Sequence, residues 1–138
     1  MKKLTVAVCL DDAGGMMFFG KRQSRDRVLI SEFMESFGNG VVRIADFSRL
    51  IFDGYEKVQS SVNPFDCADD GDVCFIENIH LAPYIKDVST LVVYRWNRLY
   101  PSDFKFDVDI LKSGFSLESV KEFEGSSHEK ITKEIYRR

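Results

Sequence analysis

Apolar positions along the chain fall into short runs separated by glycine, proline and acidic clusters, and the spacing within the runs changes from segment to segment. Leu4 to Leu10, "LTVAVCL", is apolar on both faces and stops at Asp11-Asp12, as expected of a buried first strand. The next stretch, "GGMMFFGKRQSRD" from Gly14 to Asp26, reads as a turn feeding a helix. Ser24 is its expected N-cap, and Asp26 falls in the first turn, where the helix dipole favours negative charge. Leu29, Ile30, Phe33, Met34 and Phe37 then recur at spacings of three and four. This is an amphipathic helix, with Gly38-Asn39-Gly40 as a left-handed stop.

Beyond the helix the runs shorten. "VVRI" (41–44) predicts a second strand, and Asp46 is placed to cap a short helix carrying Phe47, Leu50 and Ile51, stopped at Gly54. Residues 56–71 are polar and hold Pro64 and the Asp69-Asp70-Gly71 turn, so they read mostly as loop. "DVCFI" (72–76) predicts a third strand, and Ile79 to Ile85 a short helical turn with Pro83 near its start. "TLVVYRW" (90–96) is apolar on both faces and belongs in the middle of a sheet. Residues 97–114 are loop-rich, and Phe115 to Phe123 reads as a strand. The tail pattern fits two states: Ser126-x-x-Glu129 resembles a capping box, while Ile131, Lys133 and Ile135 alternate with Thr132, Glu134 and Tyr136. Strands alternating with helices, then strands in succession, predict an α/β fold. Its central sheet is mostly parallel with an antiparallel C-terminal edge, and helices cover both faces.

Composition narrows the class. With 138 residues, 44% hydrophobic and 30% charged, the chain suits a single domain (1–138) with a full core. The formal charge of −3 lends nothing to nucleic-acid binding, which shows as a basic surface. Cys9, Cys67 and Cys74 cannot all pair and form no C-x-x-C, so reduced thiols in a cytoplasmic protein are expected. The apolar run after "MKK" meets two aspartates too soon for a secretion signal, and no segment reaches membrane-spanning length.

The order of elements resembles a shortened dihydrofolate reductase. The likeness is carried by "VCFIENIHLAPYIKDVSTLVVYRWNRLYP" and "LTVAVCLDDAGGM", with "EIYRR" similar to that family's closing strand. It implies a three-layer dihydrofolate reductase-like domain, favours strand for the tail, and sets Asp26 near the family's substrate-binding carboxylate. Where the family carries a Gly-Gly pair beside the cofactor phosphates, this chain has Glu77-Asn78. The family's Gly-Arg-x-Thr element has no counterpart in "VVRIADFSRL". A carboxylate facing a pyrophosphate repels it, so the resemblance implies the fold while NADPH is disfavoured. The wider pattern, ending in "GSSHE", also resembles short bacterial proteins sometimes labelled ribonuclease Z. That enzyme's His-x-His-x-Asp-His metal signature is absent here, where His80 and His128 are the only histidines.

Open α/β sheets bind ligands at the carboxyl ends of their strands. Those ends are expected to carry Asp11-Asp12, Glu77-Asn78 and Arg95-Trp96-Asn97-Arg98. Lys21, Arg22 and Arg25, just ahead of a helix N-terminus, suit a phosphate or carboxylate, and Gln23 and Ser24 suit neutral hydrogen bonds. The competing expectation is a plain turn with solvated or paired charges, since neither GxGxxG nor a P-loop is present. Trp96 could stack on a flat ring or cover the sheet edge. His128 could serve acid–base chemistry only with partners from elsewhere in the chain; otherwise "GSSHE" is a polar hairpin turn. Asp66, Asp69, Asp70 and Asp72 lack EF-hand spacing and read as a solvated loop.

The expectation is a small anionic or nucleotide-like ligand among Arg22, Arg25, Asp26, Glu77, Asn78, Arg95 and Asn97. The arginines would hold the anion, Asn78 and Asn97 would orient it, and Glu77 with Asp26 would supply any catalysis. A noncatalytic interaction or homo-oligomerisation module is the alternative, and an NADPH-dependent reductase the third. No metal, nucleic acid or membrane partner is expected.

Overall fold

A seven-stranded sheet runs through the centre of the computed structural model, which describes residues 1–138. In spatial order its strands are β5 (Val58–Ser61), β4 (Val42–Ala45), β6 (Val73–Phe75), β1 (Leu4–Leu10), β7 (Val88–Arg95), β10 (Ile131–Arg137) and β9 (Ser116–Phe123). The first five run parallel to their neighbours; β10 is antiparallel to both β7 and β9. β1 therefore lies in the middle of the sheet, beside β7, and the tail is strand.

Alternation along these strands feeds two cores. Leu4, Val6, Val8 and Leu10 of β1 face one, together with Leu91 and Val93 of β7. Ala7 of β1 and Val92 and Tyr94 of β7 face the other. Over the second core lie α1 (Arg27–Phe37), through Leu29, Ile30 and Phe33, and a 3₁₀ helix, Asp46–Phe52, through Phe52. Phe33 and Phe52 each meet Phe75 edge-on at 5.1 Å between ring centres, a favoured aromatic geometry. Each such side chain contributes about 1.5–3 kcal/mol by leaving water.

The first core has a looser cover. It consists of Phe65 of α2 (Pro64–Cys67), Leu81 ahead of a second 3₁₀ helix (Ala82–Asp87), Phe115, and Met16 and Met17. The methionines belong to β2 (Gly15–Phe18), which pairs antiparallel with β3 (Lys21–Arg22) and β8 (Phe104–Lys105) in a small separate sheet. No helix is long and apolar enough to cross a membrane.

Several local expectations change. The glycine-rich stretch is a β-hairpin rather than a simple turn: Phe19 and Gly20 both have positive φ, 50° and 72°, the geometry of a two-residue type I′ connection. Asp26, not Ser24, caps α1, its carboxylate accepting from the N–H groups of Val28 and Leu29. Gly38 ends α1 at φ −79°, not left-handed, and donates its N–H to Met34 O. It is a glycine because a Cβ there would sit 2.4 Å from that same carbonyl. Asp46 lies in the first turn of its 3₁₀ helix without capping it. Within 56–71, expected as loop, β5 and α2 form. β5 has a single apolar residue, Val58, and is held as a strand by backbone pairing to β4. α2 starts at Pro64 under an Asn63 side-chain cap. Asp72 of the acidic run is paired to Arg43, with Nε–Oδ2 at 2.7 Å.

Candidate functional site

A cleft of about 760 Å³ opens at the carboxyl ends of β1, β6 and β7, within the roughly 300–1,000 Å³ usual for small-molecule sites. Cys9, Phe75 and Trp96 form its floor, Leu29 and Ile30 of α1 one wall, and Leu50 and Ile51 of the 3₁₀ helix the other. Trp96 thus belongs to the floor of the cleft and does not fill it, while Phe19 is 77% exposed at the hairpin tip. Arg25 and Arg27 also line the cleft, and neither takes part in any ion pair. Burial pushes the Cys9 thiol well up, reinforced by the charges of Glu77 and Asp26, so it is a weak nucleophile. No three His, Cys, Asp or Glu side chains converge as a metal site.

Asp26 organises the rim. Its Oδ1 accepts from the N–H groups of Val28, Leu29 and Ser126, and its Oδ2 from Ser127 N–H. The Ser126 hydroxyl adds to these at 3.2 Å, and Ser127 Oγ and His128 Nδ1 lie 3.1 and 3.3 Å from Oδ2. Burial pushes this carboxyl up. The N–H groups of Ser126, Ser127 and Leu29 and the His128 contact outweigh that and hold it far below the usual range. Gly125 lets the loop come this close, because a Cβ there would stand 2.3 Å from Asp26 Oδ2. With its side chain 0% exposed, Asp26 has no free face for a ligand. The expected substrate-facing carboxylate is instead the bolt between the helix start and the β9–β10 loop.

His128 is buried in that loop. Its ring stacks on Trp96 at 4.5 Å, Nδ1 is 2.9 Å from Ser127 Oγ, and Nε2 is 2.8 Å from Tyr100 Oη and 3.4 Å from Ser24 Oγ. The "GSSHE" turn is a hairpin connection whose serines and histidine turn inward onto Asp26.

The remaining expected site residues divide by strand geometry. Glu77 lines the cleft, but both its oxygens are engaged: Oε1 by Arg22 Nε at 2.9 Å, and Oε2 by Arg22 Nη2 at 3.1 Å and Ser48 Oγ at 2.6 Å. Arg22 also donates to Phe47 O and lies over the Phe47 ring. This is a structural ion pair at the cleft's edge, not an anion-binding arginine beside a free acid. It also offsets the Glu77 charge, so electrostatic repulsion no longer separates this site from a pyrophosphate. Arg95 follows the two-residue alternation of β7 onto the face opposite the cleft, where Nε meets Glu134 Oε1 at 2.8 Å. Asn97, at φ 60°, ties the end of β7 to Lys130 O and Thr132 Oγ1. Asn78 is exposed and is not a lining residue.

Sequence reasoning did not bring Cys9, Arg27, Tyr100 or Ser126 to the site. Arg27 had a usable signal, since it lies two residues from Arg25 at the helix start. Tyr100 and Ser126 arrive from opposite ends of the C-terminal third, and no spacing rule joins them.

The fold is similar to that of a solved structure, dihydrofolate reductase from Enterococcus faecalis complexed with NADP(H) and RAB-propyl. It superposes with a TM-score of 0.69 at 14% sequence identity, over 99% of this chain and 96% of that one. The chain has the dihydrofolate reductase-like fold. No family model and no curated protein sequence matches it.

Proposed function

We propose that the cleft between α1 and the Asp46–Phe52 helix binds a small molecule carrying a phosphate or carboxylate, nucleotide-like compounds included. The observation that supports this is the pair of unpartnered guanidinium groups, Arg25 and Arg27, bordering an open cavity of about 760 Å³ with an apolar floor. An anion there gains charge-assisted hydrogen bonds, and the exposed Leu50 side chain on the wall offers apolar surface to the rest of the ligand. Asp26 and Glu77, already saturated, act as scaffold, so the ligand is held by cations and apolar walls rather than by a carboxylate.

The test is a thermal-shift series on the whole protein with inorganic phosphate, mononucleotides, folate and NADPH. A ligand at 100 times its Kd adds about 2.7 kcal/mol. The expected result is a rise in melting temperature with phosphate-bearing compounds, lost in the Arg25→Ala/Arg27→Ala variant. A rise with NADPH that survives this double substitution would instead favour a nicotinamide-dependent reductase. No rise with any compound would favour an interaction module.

A further inference from the structure

At the rim of the cleft Ser24, His128 and Asp26 stand in the order of a nucleophile, a base and its orienting acid. Ser24 borders the cavity, and its Oγ is 3.4 Å from His128 Nε2. The other ring nitrogen, Nδ1, is 3.3 Å from Asp26 Oδ2. Resting enzymes often hold such contacts longer than the reacting geometry. Ser127 Oγ donates to Arg25 O at 2.7 Å and stands 2.9 Å from Nδ1. With Ser127 Oγ and the acceptor-only Asp26 Oδ2 both facing Nδ1, the neutral ring carries its proton there, and the Nε2 lone pair points toward Tyr100 and Ser24. Trp96 stacks on the imidazole and fixes its plane. The N–H of Arg25, the residue after Ser24, has no acceptor within the protein, and such a group is a common oxyanion donor.

We infer that Ser24 is an acyl-accepting nucleophile, with His128 as its general base and Asp26 as a positioning residue, acting on small carboxylic esters. The inference rests on the proposed function only in taking the cleft as the place where substrate sits. Ser24 Oγ forms a bond to the acyl carbon while its proton passes to His128 Nε2. The ester C–O bond then breaks, and the leaving alcohol carries that proton away. Water attacks the acyl-Ser24 carbon, gives its proton to Nε2, and the acid leaves as the proton returns to Oγ. No redox partner or cofactor enters the balance. Tyr100, 2.8 Å from the same nitrogen, competes with Ser24 for the lone pair and holds the resting site quiet.

The test treats the intact protein with a neutral fluorophosphonate probe, locates the adduct by peptide mass, and follows hydrolysis of p-nitrophenyl acetate. The expected result is one adduct, on Ser24, absent in Ser24→Ala at an unchanged melting temperature. His128→Gln slows labelling by about a hundredfold, the scale of a lost general base. Tyr100→Phe, which frees Nε2, raises the rate severalfold, a direction no purely structural role gives. If His128→Gln does not fold, Tyr100→Phe alone decides. A folded protein with no adduct on Ser24, or Ser24 labelled at equal rates in the parent and Tyr100→Phe, would overturn the inference. Labelling without a phosphate shift, and a shift without labelling, are separate results, so this inference and the anion reading fail independently.

Discussion

Helix α1 buries two carboxylates six residues apart, and the molecule accommodates them in opposite ways. Asp26, at the N-cap, is surrounded by backbone N–H groups, two hydroxyls and His128. Glu32, in the middle, meets Lys133 Nζ at 2.8 Å, Tyr94 Oη at 2.7 Å and Lys121 Nζ at 3.3 Å. At Glu32, burial raises the carboxyl and the Lys133 and Tyr94 contacts more than reverse it. The Glu32 cluster joins elements that are already ordered by their own ladders, namely α1, β7, β9 and β10. The Asp26 cluster orders residues 125–128, which have no ladder of their own. Charge burial at one end of the helix fixes helix against sheet; at the other it builds the rim of a cleft.

Separating the two clusters by substitution gives the largest effect first. Glu32→Ala strands the Lys133 ammonium, which is expected to cost about 3–5 kcal/mol in urea unfolding. Replacing Glu32 and Lys133 together by apolar residues should restore most of it. A cost below about 1 kcal/mol, the scale of an exposed pair, would mean that Lys133 reaches water. Gly125→Ala should cost about 1–3 kcal/mol, since the added carbon overpacks Asp26 and Ile131. It should also change hydrogen exchange in 125–128 while leaving β10 protected. Tyr94→Phe removes one donor from Glu32 and should cost about 1 kcal/mol; the same loss appearing at the cleft rim would break the separation of the clusters.

Acid sharpens the comparison further. Both carboxyls lie below their ordinary values in the folded chain, so in acid the unfolded chain takes up more protons than the folded one. Stability is full above the unfolded values, about 4, and falls as pH drops below them. Asp26→Asn should flatten that acid decline more than Tyr94→Phe does, as read from melting temperatures between pH 5 and pH 2.

The sheet was legible because its signals are local. β1 and β7 are apolar on both faces, and α1 repeats at three and four, so periodicity alone placed them. β5 was not legible, because its pairing with β4 supplies the order that "VQSS" does not. At the site, strand ends correctly suggested where a cleft opens. Side-chain direction could not be foreseen: Arg95 points away by alternation, and Arg22 finds Glu77 across the fold. The Ser24–His128 contact spans more than a hundred residues, and only folding brings the two together.

The central position of the first strand has a kinetic side. β1 is made first, yet Val6 pairs with Cys74 on one side and Leu91 on the other. "LTVAVCL" must therefore wait, unpaired and apolar, while most of the chain is synthesised. Such non-local closure is slow, on the order of milliseconds to seconds, and the waiting strand is open to aggregation throughout. The middle of the sheet closes only once β7 has been made, and β9 and β10 then extend it at one edge.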